Sequence, residues 1–150
     1  MIGSLLVATA MVTLTVIIHH AGLAGILHLL RNRPERTTRT TWFRQGTAIL
    51  FIVFGLIALH TVQIWFYAAF YVFAGVLPDL ETALYFSTVS FTTVGYGDVV
   101  LSPDWRLVGA IESANGLLLF GWSTAFLAAT TAQLRTLEST WLQGAGEART

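Results

Sequence analysis

Residues 90–100 read SFTTVGYGDVV and lie between two long apolar runs. The neighbours of this stretch suit hydrocarbon, but its two Thr, two Gly and one Asp do not. Apolar sequence resumes within a few residues on both sides, so an ordinary surface turn is also a poor description. Irregular backbone at membrane depth survives only where protein buries it or where it lines a water-filled path. Whether the surroundings are a membrane decides how the stretch is read.

The bulk composition says that they are. The chain has 150 residues, room for one domain. Hydrophobic residues make up 55% and charged residues 11%, against about 25% charged in a soluble domain. Formal net charge is zero, but the charges are unevenly placed: five of the eight Arg fall between Arg31 and Arg44, and Lys is absent. The balance gives no reason to expect a nucleic-acid partner. With no Cys, disulfides and thiolate metal sites are excluded.

Met1–Leu30 and Gln45–Leu77 carry no Asp, Glu, Lys or Arg, and Leu107–Leu134 carries only Glu112. A span needs about 20 apolar residues, so three transmembrane helices are expected. The first lacks the basic start of a cleaved leader, and its apolar stretch is too long for one. The short basic segment around Pro34 places residues 31–44 in the cytoplasm by the positive-inside rule. The N-terminus is then outside and the C-terminus cytoplasmic, and Pro78–Asp104 lies on the outer side. Trp42 and Phe43 suit an inner aromatic belt; Trp65, Tyr67, Tyr71 and Trp105 suit an outer one.

Between the second and third spans, Pro78 and Asp79 read as a helix start, with Asp79 able to cap the first turn. Leu80–Phe91 is too short to cross and fits a re-entrant helix. In the loop that follows, Gly95 and Gly97 can take positive φ at no steric cost. Alternating hand along Val94–Gly95–Tyr96–Gly97 turns successive carbonyls to one side, and the Thr93 hydroxyl extends the row. Four such rows around an axis make carbonyl rings that can replace the hydration shell of potassium.

The run Thr93-Val94-Gly95-Tyr96-Gly97, followed by Asp98, resembles the selectivity filter of the potassium channel pore-domain family. The resemblance extends from about Arg44 to Arg135 as outer helix, pore helix, filter and inner helix. It implies an all-α membrane protein with three transmembrane helices, a re-entrant pore helix and a filter loop, assembled as a tetrameric channel. The N-terminal helix would be residues 1–30 and the basic loop 31–44. The pore domain would be 45–134, with outer helix 45–77, pore helix 80–91, filter 93–97 and inner helix 105–134. Residues 135–150 would form a short cytoplasmic tail, with Leu134, Leu137, Trp141 and Leu142 able to make one apolar face.

The same resemblance implies that Thr93, Val94, Gly95 and Tyr96 supply oxygens to transported potassium, that Gly97 turns outward and that Asp98 anchors the outer end. Tyr96 would pack on Tyr85 and Phe86. Many family members hold a Glu nine residues before the filter Asp; here Val89 occupies that position. The implied function is passive potassium conduction across the cell membrane by a homotetramer, with membrane lipids as the other partner. The competing reading is a non-conducting or poorly selective subunit that keeps the pore fold as an assembly module. Enzymatic readings find no HExxH, no placed Ser-His-Asp set and no nucleotide loop.

On the inner helix, Gly116 and Gly121 are hinge candidates, with close helix packing as the alternative. Phe120, Thr124 and Ala128 recur at helical spacing and are expected on a cavity-lining face. Glu112 is the lone ionisable group of that helix, so a partner is expected. Counted at 1.5 Å per residue across a core of about 30 Å, His60 reaches nearly the same depth. Two readings follow: a Glu112–His60 interaction, direct or through Asn115, Gln63 or water, that tunes gating with pH, or a Glu112 that is protonated or hydrogen-bonded behind the filter and only holds structure. His19, His20 and His28 read as hydrogen-bonded polar residues of a peripheral bracing helix, because no charge series or metal-ligand spacing accompanies them.

Overall fold

The computed structural model describes the backbone of residues 2–32 and 41–147 and the side chains of residues 2–32 and 46–133. Among them the architecture is all-α: α1 (Ile2–Arg31), α2 (Thr41–Phe73), α3 (Leu80–Phe91) and α4 (Arg106–Glu147). The centre of the basic loop, residues 33–40, lies outside the described residues, as do the side chains of Trp42, Phe43 and the expected tail face.

Two helices, Ile2–Arg31 and Gly46–Phe73, are long and apolar enough to cross a membrane by length and composition. The sequence predicts a third, and α4 has the length. Its hydropathy is lowered by Glu112, Asn115, Ser123 and Thr130, all of which are buried against protein. These four polar residues, which weaken α4 as an apolar segment, are turned away from its surface.

Helix ends differ from the sequence reading for local reasons. The outer helix, expected to reach residue 77, stops at Phe73 because Gly75 adopts φ +66°. The Gly75 amide donates to the Val72 carbonyl and the Val76 amide to the Tyr71 carbonyl, the paired bonds of a Schellman C-cap. The inner helix, expected to end at 134, continues to Glu147, so residues 135–147 extend α4 instead of forming a separate tail.

α1 is more than a peripheral brace. Ala8, Met11, Thr15, His19, Leu23 and Ile26 form a buried stripe at three- and four-residue spacing. Its C-terminal half packs on Ile52, Leu56 and Leu59 of α2, and its N-terminal half joins the core shared by α2, α3 and α4. The spacing was visible in the sequence, but an all-apolar helix hides which stripe is packed. Small residues permit the approach: a Cβ on Gly55 would stand 3.1 Å from the Ile26 side chain. Near the chain start, the Ser4 hydroxyl donates to the Asp104 carbonyl at 2.8 Å.

Candidate functional site: the loop after the half-crossing helix

α3 is twelve residues long, about 18 Å at 1.5 Å per residue, so it cannot cross a bilayer alone. Asp79 caps it: one carboxylate oxygen accepts from the Thr82 amide at 2.8 Å and the other from the Thr82 hydroxyl at 2.9 Å. Those bonds, the amide first, hold the Asp79 carboxyl below its ordinary pKa. Ala83, Phe86, Ser87 and Phe91 form its buried face against α2 and α4.

At the other end the chain reverses hand at alternate residues. Thr93, Gly95 and Gly97 have φ of 62°, 57° and 76°, while Val94 and Tyr96 stay on the ordinary side. Alternation of this kind is the backbone pattern that can turn successive carbonyls toward one flank. Positive φ is free for Gly but unusual for Thr, whose β-branch makes it an outlier. The sequence flagged the two glycines and not Thr93. α3 fixes the start of the loop: the amides of Val94 and Gly95 both donate to the Val89 carbonyl, at 3.0 and 3.1 Å, and Thr93 donates to Ser90. Among the described residues, no carbonyl from Thr93 to Gly97 accepts a hydrogen bond. The loop is exposed throughout, with Tyr96 at 73%.

Several side chains sit elsewhere than expected. Tyr96 is largely exposed instead of packed away. Phe86 stands edge-on to Tyr71, 5.4 Å between ring centres, and the Tyr85 hydroxyl donates to Asp98 at 2.6 Å. Tyr85 thereby supplies from α3 the anchor that Val89 cannot, and its hydrogen bond holds the Asp98 carboxyl below its ordinary pKa. Tyr67 and Tyr71, expected in an outer belt, are buried with their hydroxyls bonded to α4.

Gly116 is a packing residue. A Cβ there would collide with the carbonyl oxygen of Phe91 and stand 2.8 Å from its carbonyl carbon, so α4 crosses the end of α3 in backbone contact. Gly121 has nothing within 4 Å and leaves the hinge reading open at that position alone. Phe120 leaves the expected cavity face, because its ring stacks on His60 at 4.2 Å and meets Phe91 at 5.8 Å; Thr124 and Ala128 are exposed.

Glu112 and His60 are not paired. Glu112 is fully buried, within hydrogen-bonding distance of Tyr71 and Ser87. His60 lies opposite Ser123, at 2.9 Å, and beside Gln63. Tyr71 is eleven residues above His60 on α2, and Glu112 eleven above Ser123 on α4, which separates the two groups by about 16 Å. The depth count failed because α2 is longer than the hydrocarbon core, so Arg44 does not mark its edge.

Gln63 ties the helices together at the His60 level. The Thr15 carbonyl can only accept, so the Gln63 amide nitrogen must face it (3.1 Å) and His19 Nδ1 (3.2 Å). The Gln63 oxygen then accepts from His60 Nδ1, which leaves His60 Nε2 to accept from Ser123. Asn115 donates to the Thr15 hydroxyl at 2.8 Å and to Tyr67 at 3.2 Å. His19 Nε2 is buried without a partner among the described residues; His28 bonds Asn32, and His20 is exposed. Sequence reading named Gln63 and Asn115 but not Thr15, Ser87 or Ser123, small polar residues whose only signal was their place on buried helix faces.

Among the described residues, no cluster of three His, Cys, Asp or Glu could hold a metal ion. A family model described as "Ion channel" matches residues 47–133, which spans the outer helix, the half-crossing helix, the loop and most of the inner helix. No curated protein and no solved structure matches the chain. With more than half of its length inside that match, the chain belongs to the ion channel family.

Proposed function

We propose that four copies of this chain form a potassium-selective pore in which residues 93–97 line the ion path. One observation carries the reading: φ alternates in sign from Thr93 to Gly97, at the end of a twelve-residue helix too short to cross a membrane. The resulting flank of carbonyls, free of internal hydrogen bonds among the described residues, suits a partially dehydrated cation. A single flank cannot surround an ion. Cyclic symmetry supplies four equivalent flanks and gives a contact surface to exposed Val94, Tyr96, Leu117 and Leu118. The α3 dipole directs its negative end toward the inner side of the loop, favouring a cation there. By the positive-inside rule, the basic residues between Arg31 and Arg44 support a cytoplasmic inner side and a loop on the outside.

The test is flux into liposomes containing only the purified protein. Potassium should dissipate an imposed gradient, and sodium under the same gradient should not. Gly95→Ala puts a Cβ at φ +57°, where an L-residue costs about 1–2 kcal/mol; it should assemble but lose selective flux. Equal sodium and potassium flux would refute selectivity. An intact tetramer with no flux would favour the assembly-module reading.

A further inference from the structure

A proton count at Glu112 leads past the pore reading, on which its functional half rests. Three oxygens from three helices converge behind α3. Ser87 Oγ of α3 stands 2.5 Å from Glu112 Oε1 of α4 and 3.0 Å from the Ile64 carbonyl oxygen of α2. Glu112 Oε2 accepts from the Tyr71 hydroxyl at 2.7 Å. A serine hydroxyl has one hydrogen, and a carbonyl can only accept. If Glu112 were ionised, Ser87 could satisfy one neighbour, and at the other two lone-pair oxygens would face each other. If Glu112 is a neutral acid, every contact is satisfied: Oε1–H donates to Ser87, Ser87 donates to Ile64, and Tyr71 donates to Oε2. Burial argues the same way, because no cation neutralises Glu112 among the described residues, and an unpaired buried charge is costly.

The relay ends two residues from Val89, whose carbonyl receives the Val94 and Gly95 amides. It also lies one turn of α4 before Gly116, where α4 touches the Phe91 backbone. We propose that Glu112 is a positioning residue: a protonated carboxylic acid whose donated hydrogen seats α3, and through Val89 sets the 93–97 loop for ion selection. The group matters here as a donor and not as a charge. That distinguishes it from a carboxylate that attracts cations and from a polar residue that merely fills space.

The donor role makes the two variants at this position differ. Glu112→Gln keeps one donor and one acceptor in nearly the same shape, so it should retain potassium over sodium flux. Glu112→Ala and Ser87→Ala break the relay at different members and should reduce that preference by about tenfold or more, as loss of groups that orient ion ligands commonly does. Infrared spectra of the full chain in lipid give a readout independent of conduction. At neutral pH the wild type should show the carbonyl stretch of a protonated carboxyl group, and Glu112→Gln should lack it. A wild type without that band, or a Glu112→Gln variant as unselective as Glu112→Ala, would overturn the proposal. A wild type with the band but no potassium flux would sink the pore reading and leave the proton assignment standing.

Discussion

Gly116 and Gly121 sit five positions apart on one helix and make opposite predictions. Gly116→Ala drives a methyl into the Phe91 backbone, which cannot swing away as a flexible side chain would. Overpacking of this kind costs about 1–3 kcal/mol, so the variant's thermal transition should fall clearly below wild type. Gly121→Ala meets open space and gains helix propensity, so its transition should hold or rise, with a stability gain of up to about 1 kcal/mol. Equal destabilisation of both would contradict this packing. At the loop's outer end, the Tyr85 hydroxyl depresses the Asp98 pKa. The stabilisation from a depressed carboxyl is present above its unfolded pKa and is lost as pH falls through the folded value. Tyr85→Phe removes the donor, so the acid pH at which outer-end function fails should move upward; an unchanged acid limit in pH-stepped flux would count against the bond. Residue identity alone revealed the glycines and Asp98, because positive φ and a charge beside apolar runs have few explanations. It named Thr93 as a filter residue but did not reveal its φ of 62°, which runs against the preference of a β-branched residue.

At the scale of helices, α3 was the easiest element to read, with Pro78 and Asp79 before it and a polar loop after it. The end of α2 was legible in principle, since Gly75 three positions before Pro78 is a Schellman signal. The unbroken apolar run to Leu77 masked it. Partner choice between helices was not legible, because long apolar segments carry little information about which stripe meets which neighbour. That is why Glu112 was matched by depth to His60 when its partners are Tyr71 and Ser87. The Gln63 crossing yields a prediction here. Gln63→Leu leaves the Thr15 carbonyl and the His19 and His60 ring nitrogens without their partner, each buried loss costing about 1–3 kcal/mol. Amide exchange in α1 should accelerate around Thr15 and His19 while α3 keeps its protection. Uniform acceleration across the chain, or none, would show that Gln63 does not dock α1.

For the whole molecule, the described surfaces read as parts of a larger ring. Tyr96, Val100, Leu117 and Leu118 are large apolar side chains exposed by 62–73% beside or across from the loop. Tyr96 in particular stays largely exposed, so on the four-copy reading its packing partner should come from a neighbouring copy. Composition and the TTVGYGD run pointed to the family before any geometry was known, whereas the proposed four copies rest only on the need to close carbonyl rings. The most direct test is a density map of the protein in lipid nanodiscs containing potassium. The expected result is four chains around one axis, the 93–97 loops facing inward, and ion density along the axis between their carbonyls. Loops far from any shared axis, or an axis without ion density between them, would contradict the account.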